Sequence, residues 1–132
     1  MSANPPPKSS ESNLKRRKAH AWGLSAETRA AWALRLSGWR ILKHRYKTKV
    51  GEIDLIAKKR KTIAFVEVKA RKTREDALSA ITPASQRRIT QAAKLFVSEH
   101  PKAGFYTLRF DVMIVRPWTW PERITNAFPA WD

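Results

Sequence analysis

The sequence predicts a single α/β domain, because strand-like and helix-like stretches alternate along its 132 residues. Two strand-like runs in residues 51–71 form a hairpin, and apolar residues recur with helical spacing in residues 23–37 and again after Thr82. A further strand follows over residues 108–115. A chain of this length supports one modest hydrophobic core, so we expect one domain over residues 19–132.

The composition is strongly basic, with 27 lysines and arginines against 11 aspartates and glutamates and a net charge of +16. Such a charge predicts attraction to a polyanion. Nucleic acid is favoured over a membrane, because no basic helical segment is apolar enough to lie in a bilayer interface. There is no membrane-spanning run and no signal peptide, so we expect cytoplasmic residence. The lack of cysteine excludes thiolate zinc sites, and four glycines without a glycine-rich loop exclude a Rossmann or P-loop site.

Residues 1–18 are predicted to be a disordered basic arm, since they are rich in proline and serine and lack apolar periodicity. The run Lys15-Arg16-Arg17-Lys18 is compatible with phosphate contact and with plain solvation. We therefore expect the folded domain to begin after this arm.

The first predicted helix covers residues 23–37, with Ser25 as its N-cap. Glu27 lies in the first turn, where a carboxylate complements the helix dipole. Ala31 and Leu34 follow it at helical spacing, which directs Glu27 towards the core-facing stripe. Two interpretations stay open: a surface acid that stabilises the helix start, or a third carboxylate near a metal site.

A basic strand, Trp39 to Tyr46, is predicted next, and we expect it to pair with residues 52–58. His44 in this strand is the histidine nearest the acidic residues of the hairpin. A lone histidine in a basic strand is more often a phosphate contact or solvated than a general base. We therefore assign it no catalytic role.

The hairpin carries acidic side chains where a sheet ordinarily carries apolar ones. A turn centred between Arg60 and Lys61 sets Asp54 directly opposite Glu67, with Cβ atoms about 4.5–5.5 Å apart. The two-residue period of a strand puts Lys69 on the same face. That face also receives Glu52, Ile56 and Phe65, whereas the opposite, wholly apolar face receives Ile53, Leu55, Ala57, Ala64, Val66 and Val68.

Two carboxylates that face each other across a sheet destabilise it, unless a cation lies between them. Hard cations such as Mg²⁺ bind oxygen ligands, often one or two carboxylates together with retained waters. Lys69 would then orient a water or stabilise negative charge beside the metal. The alternative is an ordinary exposed hairpin face with a Glu67–Lys69 pair, but the register with Asp54 favours a metal site.

The second predicted helix begins with Thr82 as N-cap and Pro83 at its first position. Its apolar stripe consists of Ile89, Ala92, Ala93, Phe96 and Val97. The polar residues around this stripe suit phosphate binding as well as plain solvation, and they are Gln86, Arg87, Arg88, Gln91 and Lys94.

The last predicted strand, residues 108–115, alternates so that one face is fully buried. Asp111 lies on its other face, where we favour a structural ion pair over a metal role. Beyond this strand the chain contains Trp118, Trp120 and Trp131. Such rings can stack on unpaired bases, but we favour packing over the sheet edge as a C-terminal clasp.

Five stretches of the chain together resemble the YraN family of small bacterial proteins, which are regarded as endonucleases. They are Gly23-Leu-Ser-Ala-Glu27, Gly51-Glu-Ile-Asp-Leu-Ile-Ala57, Phe65-Val-Glu-Val-Lys-Ala-Arg71, Arg87-Arg88 and Arg109-Phe-Asp-Val112. The family is similar to the PD-(D/E)xK superfamily and to archaeal Holliday-junction resolvases. The resemblance implies a restriction-endonuclease-like α/β/α core, with a mixed central sheet flanked by helices.

The resemblance also implies a site that uses Mg²⁺ or Mn²⁺ as its cofactor. The positions that match the superfamily's metal-binding acids and its catalytic lysine are Glu27, Asp54, Glu67 and Lys69. Two other positions depart from the family's pattern and leave the substrate preference open. Arg45 stands where many members carry asparagine, and Ser85 stands where they carry lysine.

These observations together lead us to expect a metal-dependent endonuclease that hydrolyses phosphodiester bonds of structured or single-stranded DNA. The alternatives are a nucleic-acid-binding protein without turnover and a small basic interaction module. Resolvase-like folds often act as dimers on two-fold-symmetric substrates, so a homodimer is a further implied partner. The residues expected to hold the phosphate backbone are Arg45, Arg71, Lys72, Arg87 and Arg88.

Overall fold

The protein is known from a computed structural model, which describes residues 26–131. The predicted N-terminal arm and the Ser25 N-cap lie outside the described residues. The elements in chain order are α1 (26–36), β1 (Arg40–Lys47), β2 (Glu52–Lys59), β3 (Thr62–Ala70), α2 (Arg74–Ser79), α3 (Pro83–Glu99), a 3₁₀ turn (Pro101–Phe105), β4 (Thr107–Val115) and β5 (Glu122–Ile124). The predicted α/β class is confirmed.

The strands form one mixed sheet in the order β1-β2-β3-β4-β5. β1 and β2 are antiparallel, as are β2 and β3, whereas β4 runs parallel to β3 and β5 is antiparallel to β4. A parallel pair needs a crossover connection, and here α2 and α3 provide it. The carboxyl ends of β3 and β4 therefore lie at the same end of the sheet.

Both faces of the sheet are buried, as the three-layer prediction requires. One core contains Leu34 of α1 and Leu55 of β2. The other core contains Phe96 of α3 and Phe65 of β3, whose rings meet edge to face at 5.9 Å. Helices thus cover both faces of the sheet, α1 on one side and α3 on the other.

The register predicted for the central hairpin is confirmed from its turn down to the pair Leu55 and Val66. Arg60 takes a left-handed φ of 54° in the two-residue turn, which suits the twist of a tight hairpin. The regular ladder ends one step before Asp54 and Glu67, so these two residues are neighbours without being a ladder pair.

The predicted position of Ile53 on the face of Leu55 is wrong. Leu55 faces α1, whereas Ile53 belongs to the core on the α3 side. The cause is an irregularity between the paired strands: Arg45 has a φ of 51°, and the ladder skips its pairing with Asp54. Tyr46 of β1 and Ile53 of β2 both face α3, and the Tyr46 ring packs against a phenylalanine ring of that helix.

Two helix starts show how local sequence acts. The predicted cap of α3 is confirmed, because the Thr82 hydroxyl accepts a hydrogen bond from the backbone N–H of Ser85 and Pro83 opens the helix. The short helix α2 was not predicted, although Thr73 caps it by accepting from the N–H of Asp76. The threonine and the acidic residue three positions later carried a recognisable signal.

The C-terminal segment only partly matches the predicted clasp. It adds β5 to the edge of β4, and Phe128 stacks on Phe110 at 5.1 Å. The rings of Trp118 and Trp120 do not pack over the sheet edge but project into solvent. Among residues 26–131, no helix combines the length and apolar character needed to cross a membrane.

Candidate active site

The acidic end of the hairpin opens into a pocket of about 230 Å³ beneath the first turns of α3. The strands bring carboxylates and a lysine to it, and the helix contributes a serine, an arginine and an isoleucine. The lining residues are Glu52, Asp54, Glu67, Lys69, Ser85, Arg88 and Ile89. Three of the predicted site residues, Asp54, Glu67 and Lys69, are thus brought together.

Asp54 is oriented by the backbone of the neighbouring strand. Its Oδ2 accepts a hydrogen bond of 2.7 Å from the N–H of Val68. The local irregularity of β2 replaces a ladder bond with this side-chain contact, which leaves the second carboxylate oxygen for other partners. The side chain is half-buried.

Glu67 lies beside Asp54 in a poorly solvated position. Burial, together with a hydrogen bond and charge repulsion from Asp54, raises the pKa of Glu67 from 4.5 to about 9, while Lys69 and the Val68 N–H act in the opposite direction. Glu67 consequently keeps its proton at neutral pH. A site of this kind binds either a proton or a cation.

A close backbone approach places Arg88 over the pocket. A Cβ atom at Gly51 would lie 2.0 Å from the carbonyl oxygen of Arg88, so only glycine permits the β1–β2 turn to pack against α3 in this way. The contact fixes the start of β2, and hence Asp54, relative to the helix that carries Arg88.

Glu27 has a different partner in this structure. Its Oε2 accepts a hydrogen bond of 2.8 Å from Nε of Arg45, and it does not line the pocket. Within residues 26–131 no group of three or more histidine, aspartate or glutamate side chains is arranged to hold a metal ion. Of the three predicted carboxylates, Asp54 and Glu67 therefore lie together, whereas Glu27 pairs with Arg45 outside the pocket.

The predicted phosphate-binding residues differ in their surroundings. Arg71 and Lys72 are exposed just beyond β3, and Arg88 lines the pocket. Arg87 lies over the ring of Trp131 at 4.4 Å. Arg45 is engaged by Glu27, so its charge is partly neutralised.

Sequence reasoning ranked Glu52 and Ser85 below the residues that now surround them. Glu52 shares the face predicted by strand alternation, and Ser85 lies one turn before Arg88 on α3, so both positions carried a spacing signal. Ser85 is also one of the two positions that depart from the family pattern. The Ser85 hydroxyl donates to the carbonyl oxygen of Thr82, so it offers the pocket a neutral acceptor rather than a second positive charge.

Two further sequence interpretations are resolved outside the pocket. Asp111 is fully buried and receives two hydrogen bonds of 2.8 Å from Arg109, so the predicted structural ion pair is confirmed. The carboxylate also accepts from the N–H of Asn126, which ties the C-terminal segment to β4. His44 lies 3.3 Å from the guanidinium of Arg35 on the α1 side, away from the acidic pair.

The donor set fits a hard divalent cation. Carboxylate oxygens of Asp54 and Glu67 face a common space, with Glu52 at the rim, and such oxygens are the ligands that Mg²⁺ and Mn²⁺ prefer.

Comparison with known proteins gives one consistent family. A family model described as "Uncharacterised protein family UPF0102" matches residues 26–115. A UPF0102 protein of Chelativorans sp. (strain BNC1) is 46% identical over 120 residues, which cover 91% of this chain and 97% of that protein. Another, of Rhodopseudomonas palustris (strain BisB5), is 51% identical over 108 residues, covering 82% of each. The matched region contains every residue that lines the acidic pocket.

Proposed function

Because the chain belongs to the uncharacterised protein family UPF0102, a family whose description states no activity, we propose its function from the chemistry of the acidic pocket. The protein is a metal-dependent endonuclease of the PD-(D/E)xK type that hydrolyses phosphodiester bonds of structured or single-stranded DNA. The sequence resemblance to the YraN family supports the reaction class, and the pocket supports the residues.

One observation carries this proposal: Asp54 and Glu67 share a pocket with Lys69 and Arg88. Two adjacent carboxylates cost stability unless they serve a cation, and a lysine and an arginine beside them suit an anionic substrate. A purely structural pair would be expected to gain a permanent basic partner, as Asp111 does from Arg109.

The roles follow from the donors and acceptors of each side chain. Asp54 and Glu67 would hold the cation through their carboxylate oxygens, with Asp54 already oriented by the Val68 N–H. A bound divalent cation supplies Lewis-acid stabilisation of the negative charge that develops on phosphate. Lys69 Nζ orients the attacking water by hydrogen bonding, and the Arg88 guanidinium neutralises a non-bridging phosphate oxygen.

Glu27 is a candidate for a supporting role in this scheme. It would reach the cation, directly or through water, only after its ion pair with Arg45 opens. An exposed ion pair is worth about 0–1 kcal/mol, so nucleic-acid phosphate competing for Arg45 would suffice to release it. The Glu27→Gln variant should therefore retain more activity than Asp54→Asn or Glu67→Gln.

The test is cleavage by the full chain of single-stranded, duplex and branched DNA with Mg²⁺, with Mn²⁺ or with chelator. Wild type should cleave only with metal, and Asp54→Asn, Glu67→Gln and Lys69→Met should each lose roughly 100-fold or more. Asp54→Asn keeps an oxygen for the Val68 N–H, so folding should survive. Matched controls are Glu75→Gln and Lys102→Met, which change exposed residues away from the pocket and should cleave like wild type.

Equal cleavage by wild type and Asp54→Asn would overturn the proposed site, because contaminating nuclease would then explain the activity. Binding without cleavage by any of the proteins, with either metal, would favour the second candidate, a nucleic-acid-binding protein without turnover. That candidate is supported by the pairing of Glu27 with Arg45, which leaves two rather than three carboxylates for a metal.

A further inference from the structure

Four large apolar side chains are exposed on α1 and on the loop between β4 and β5, which is bonded to α1. Trp118 is 100% exposed, Leu36 71%, Trp120 66% and Trp32 55%. We call this set the tryptophan surface. Single exposed apolar residues need no explanation, but grouped aromatic rings of this size mark an interaction site.

The loop that carries two of these rings is fixed in place. The guanidinium of Arg29 in α1 donates hydrogen bonds to the carbonyl oxygens of Arg116 and Thr119. Between these two anchors Trp118 takes a left-handed φ of 63°, which is uncommon for a bulky residue. The backbone is thus held in a conformation that leaves the ring in solvent.

The helical part of the surface lies beside this loop. Trp32 and Leu36 follow Arg29 by three and seven residues, so they project from the same side of α1. Trp120 lines a cavity of about 250 Å³ with Ala33 and Arg123, between the helix and the β4–β5 edge. The loop with Trp118 and Trp120 therefore lies against the helix that carries Trp32 and Leu36.

Positive charge surrounds these rings. The Arg35 guanidinium lies 5.2 Å from the centre of the Trp32 ring, and Arg116 and Arg123 flank the loop in sequence. No acidic residue occurs between Asp111 and Glu122, and the chain carries +16 overall. The surface is therefore complementary to an anionic polymer with flat apolar groups.

The surface begins at the same end of the sheet as the acidic pocket. Lys69, which lines the pocket, pairs with Ile114 of β4, and the N–H of Arg71 bonds to the carbonyl oxygen of Val115. The loop with Trp118 starts at the next residue. The tryptophan surface and the acidic pocket thus lie at the same end of the sheet, the first on its α1 side and the second on its α3 side.

We propose that the tryptophan surface binds single-stranded nucleic acid by stacking unpaired bases on Trp118, Trp120 and Trp32. Stacking tolerates any base and requires that the bases be unpaired, so the surface selects single strands or the unpaired arms of structured substrates. The inference rests on the proposed function only where it assumes that the bound strand also places a phosphate in the acidic pocket. Base stacking itself needs neither metal nor cleavage.

The test measures binding of labelled oligonucleotides to the full chain in chelator. Three ligands of equal phosphate number separate the contributions: a single strand, a duplex, and a single strand with abasic sites. Trp118→Ala should weaken single-strand binding roughly fivefold or more, and adding Trp120→Ala or Trp32→Ala should weaken it further. Binding of the duplex and of the abasic strand should change less than about twofold, because phosphate contacts dominate there.

The matched control is Phe105→Ala. Phe105 is 88% exposed and lies near Lys61 and Lys102, at the opposite end of β4. This variant should bind all three ligands like wild type. Equal loss at both sites would show that any exposed aromatic ring contributes, which overturns the assignment to the tryptophan surface.

The outcomes separate this inference from the nuclease proposal. Suppose that wild type cleaves no DNA and that Trp118→Ala selectively loses single-strand binding. Base stacking on the tryptophan surface is then supported, and the nuclease proposal is overturned. If wild type cleaves and Trp118→Ala binds single strands unchanged, the inference falls and the nuclease stands; the exposed rings would then serve a protein partner. Equal loss on normal and abasic strands would also overturn base stacking.

Discussion

Glu67 is the residue at which burial most strongly disfavours the charged form of a side chain. A carboxylate that loses water and faces Asp54 gains little from Lys69, so the pKa rises to about 9. The folded protein therefore keeps a proton that the unfolded chain has lost over much of the physiological range. This arrangement costs stability, and it prepares the pair to exchange the proton for a cation.

The shifted pKa predicts a pH-dependent stability with a definite sign. Between pH 4.5 and about 9 the folded state binds more protons at this pair than the unfolded state, so the unfolding free energy falls as pH rises, by up to about 1.4 kcal/mol per pH unit. Glu67→Gln should remove this dependence. Urea denaturation at several pH values checks it, with Glu75→Gln as the exposed control. Parallel curves for wild type and Glu67→Gln would contradict the raised pKa.

Glycine is required at position 51 because of a close contact with α3, not because of an unusual backbone conformation. Its added Cβ would meet the backbone of Arg88 at 2.0 Å, and neither segment can move without separating the β1–β2 turn from α3. Gly51→Ala should therefore destabilise the fold by roughly 1–3 kcal/mol or more.

Gly104→Ala is the matched control for that substitution. No atom lies within 4 Å of a Cβ placed there, so its stability should stay within about 0.5 kcal/mol of wild type. Thermal or chemical denaturation measures both variants. Equal effects of the two substitutions would argue against the close approach of Gly51 to α3.

The irregularity shared by β1 and β2 is the element that turns a hairpin into a site. Arg45 in the left-handed region lets the strands change face, which buries Ile53 under α3 and frees Asp54 from the ladder. Asparagine tolerates this conformation better than other non-glycine residues.

Substitutions at Arg45 test this backbone requirement. Both Arg45→Asn and Arg45→Ala remove the ion pair with Glu27, so that loss cancels in their comparison. The asparagine variant should be more stable by about 1 kcal/mol, because alanine bears the larger cost of a left-handed φ. Chemical denaturation of the two proteins decides the point, and equal stability would mean that Arg45 does not hold this conformation in solution.

The whole molecule combines a small acidic pocket with an excess of positive charge. The acidic pair is too small a feature to offset the net charge of +16, so we expect long-range attraction to a polyanion, with the pocket acting only on the part bound next to it. Five basic residues were expected to contact phosphate. Glu27 pairs with Arg45 and Trp131 packs on Arg87, which leaves Arg71, Lys72 and Arg88. They are the first candidates for phosphate contact.

Salt dependence measures those contacts. Each lost phosphate contact should reduce the slope of log affinity against log salt by about 0.7 for single strands and 0.9 for duplexes. Arg71→Ala and Arg88→Ala should each show a reduction of this size. Lys102→Ala, at the opposite end of β4, should leave the slope unchanged. A slope that no substitution alters would mean that the attraction is not localised to the pocket end of the sheet.

Features that depend on neighbours along the chain could be predicted from the sequence. The register of the hairpin followed from its two-residue turn, the start of α3 from Thr82 and Pro83, and the pairing of Asp111 from its place in a buried strand. Each arises from backbone geometry over a few residues, where strand period and capping chemistry act regardless of the rest of the fold. The meeting of Asp54, Glu67 and Lys69 belongs to this group.

Other features depend on contacts between distant segments. These features required α1, α3 and the C-terminal loop to be placed against the sheet. They are the pairing of Glu27 with Arg45, the burial of Ile53, the contact of Gly51 with Arg88 and the exposure of Trp118. A pattern of apolar and polar residues states which side chains avoid water, but not which of several apolar surfaces receives them. Packing in three dimensions makes that choice, because close contacts and left-handed residues redirect side chains that regular alternation would place elsewhere.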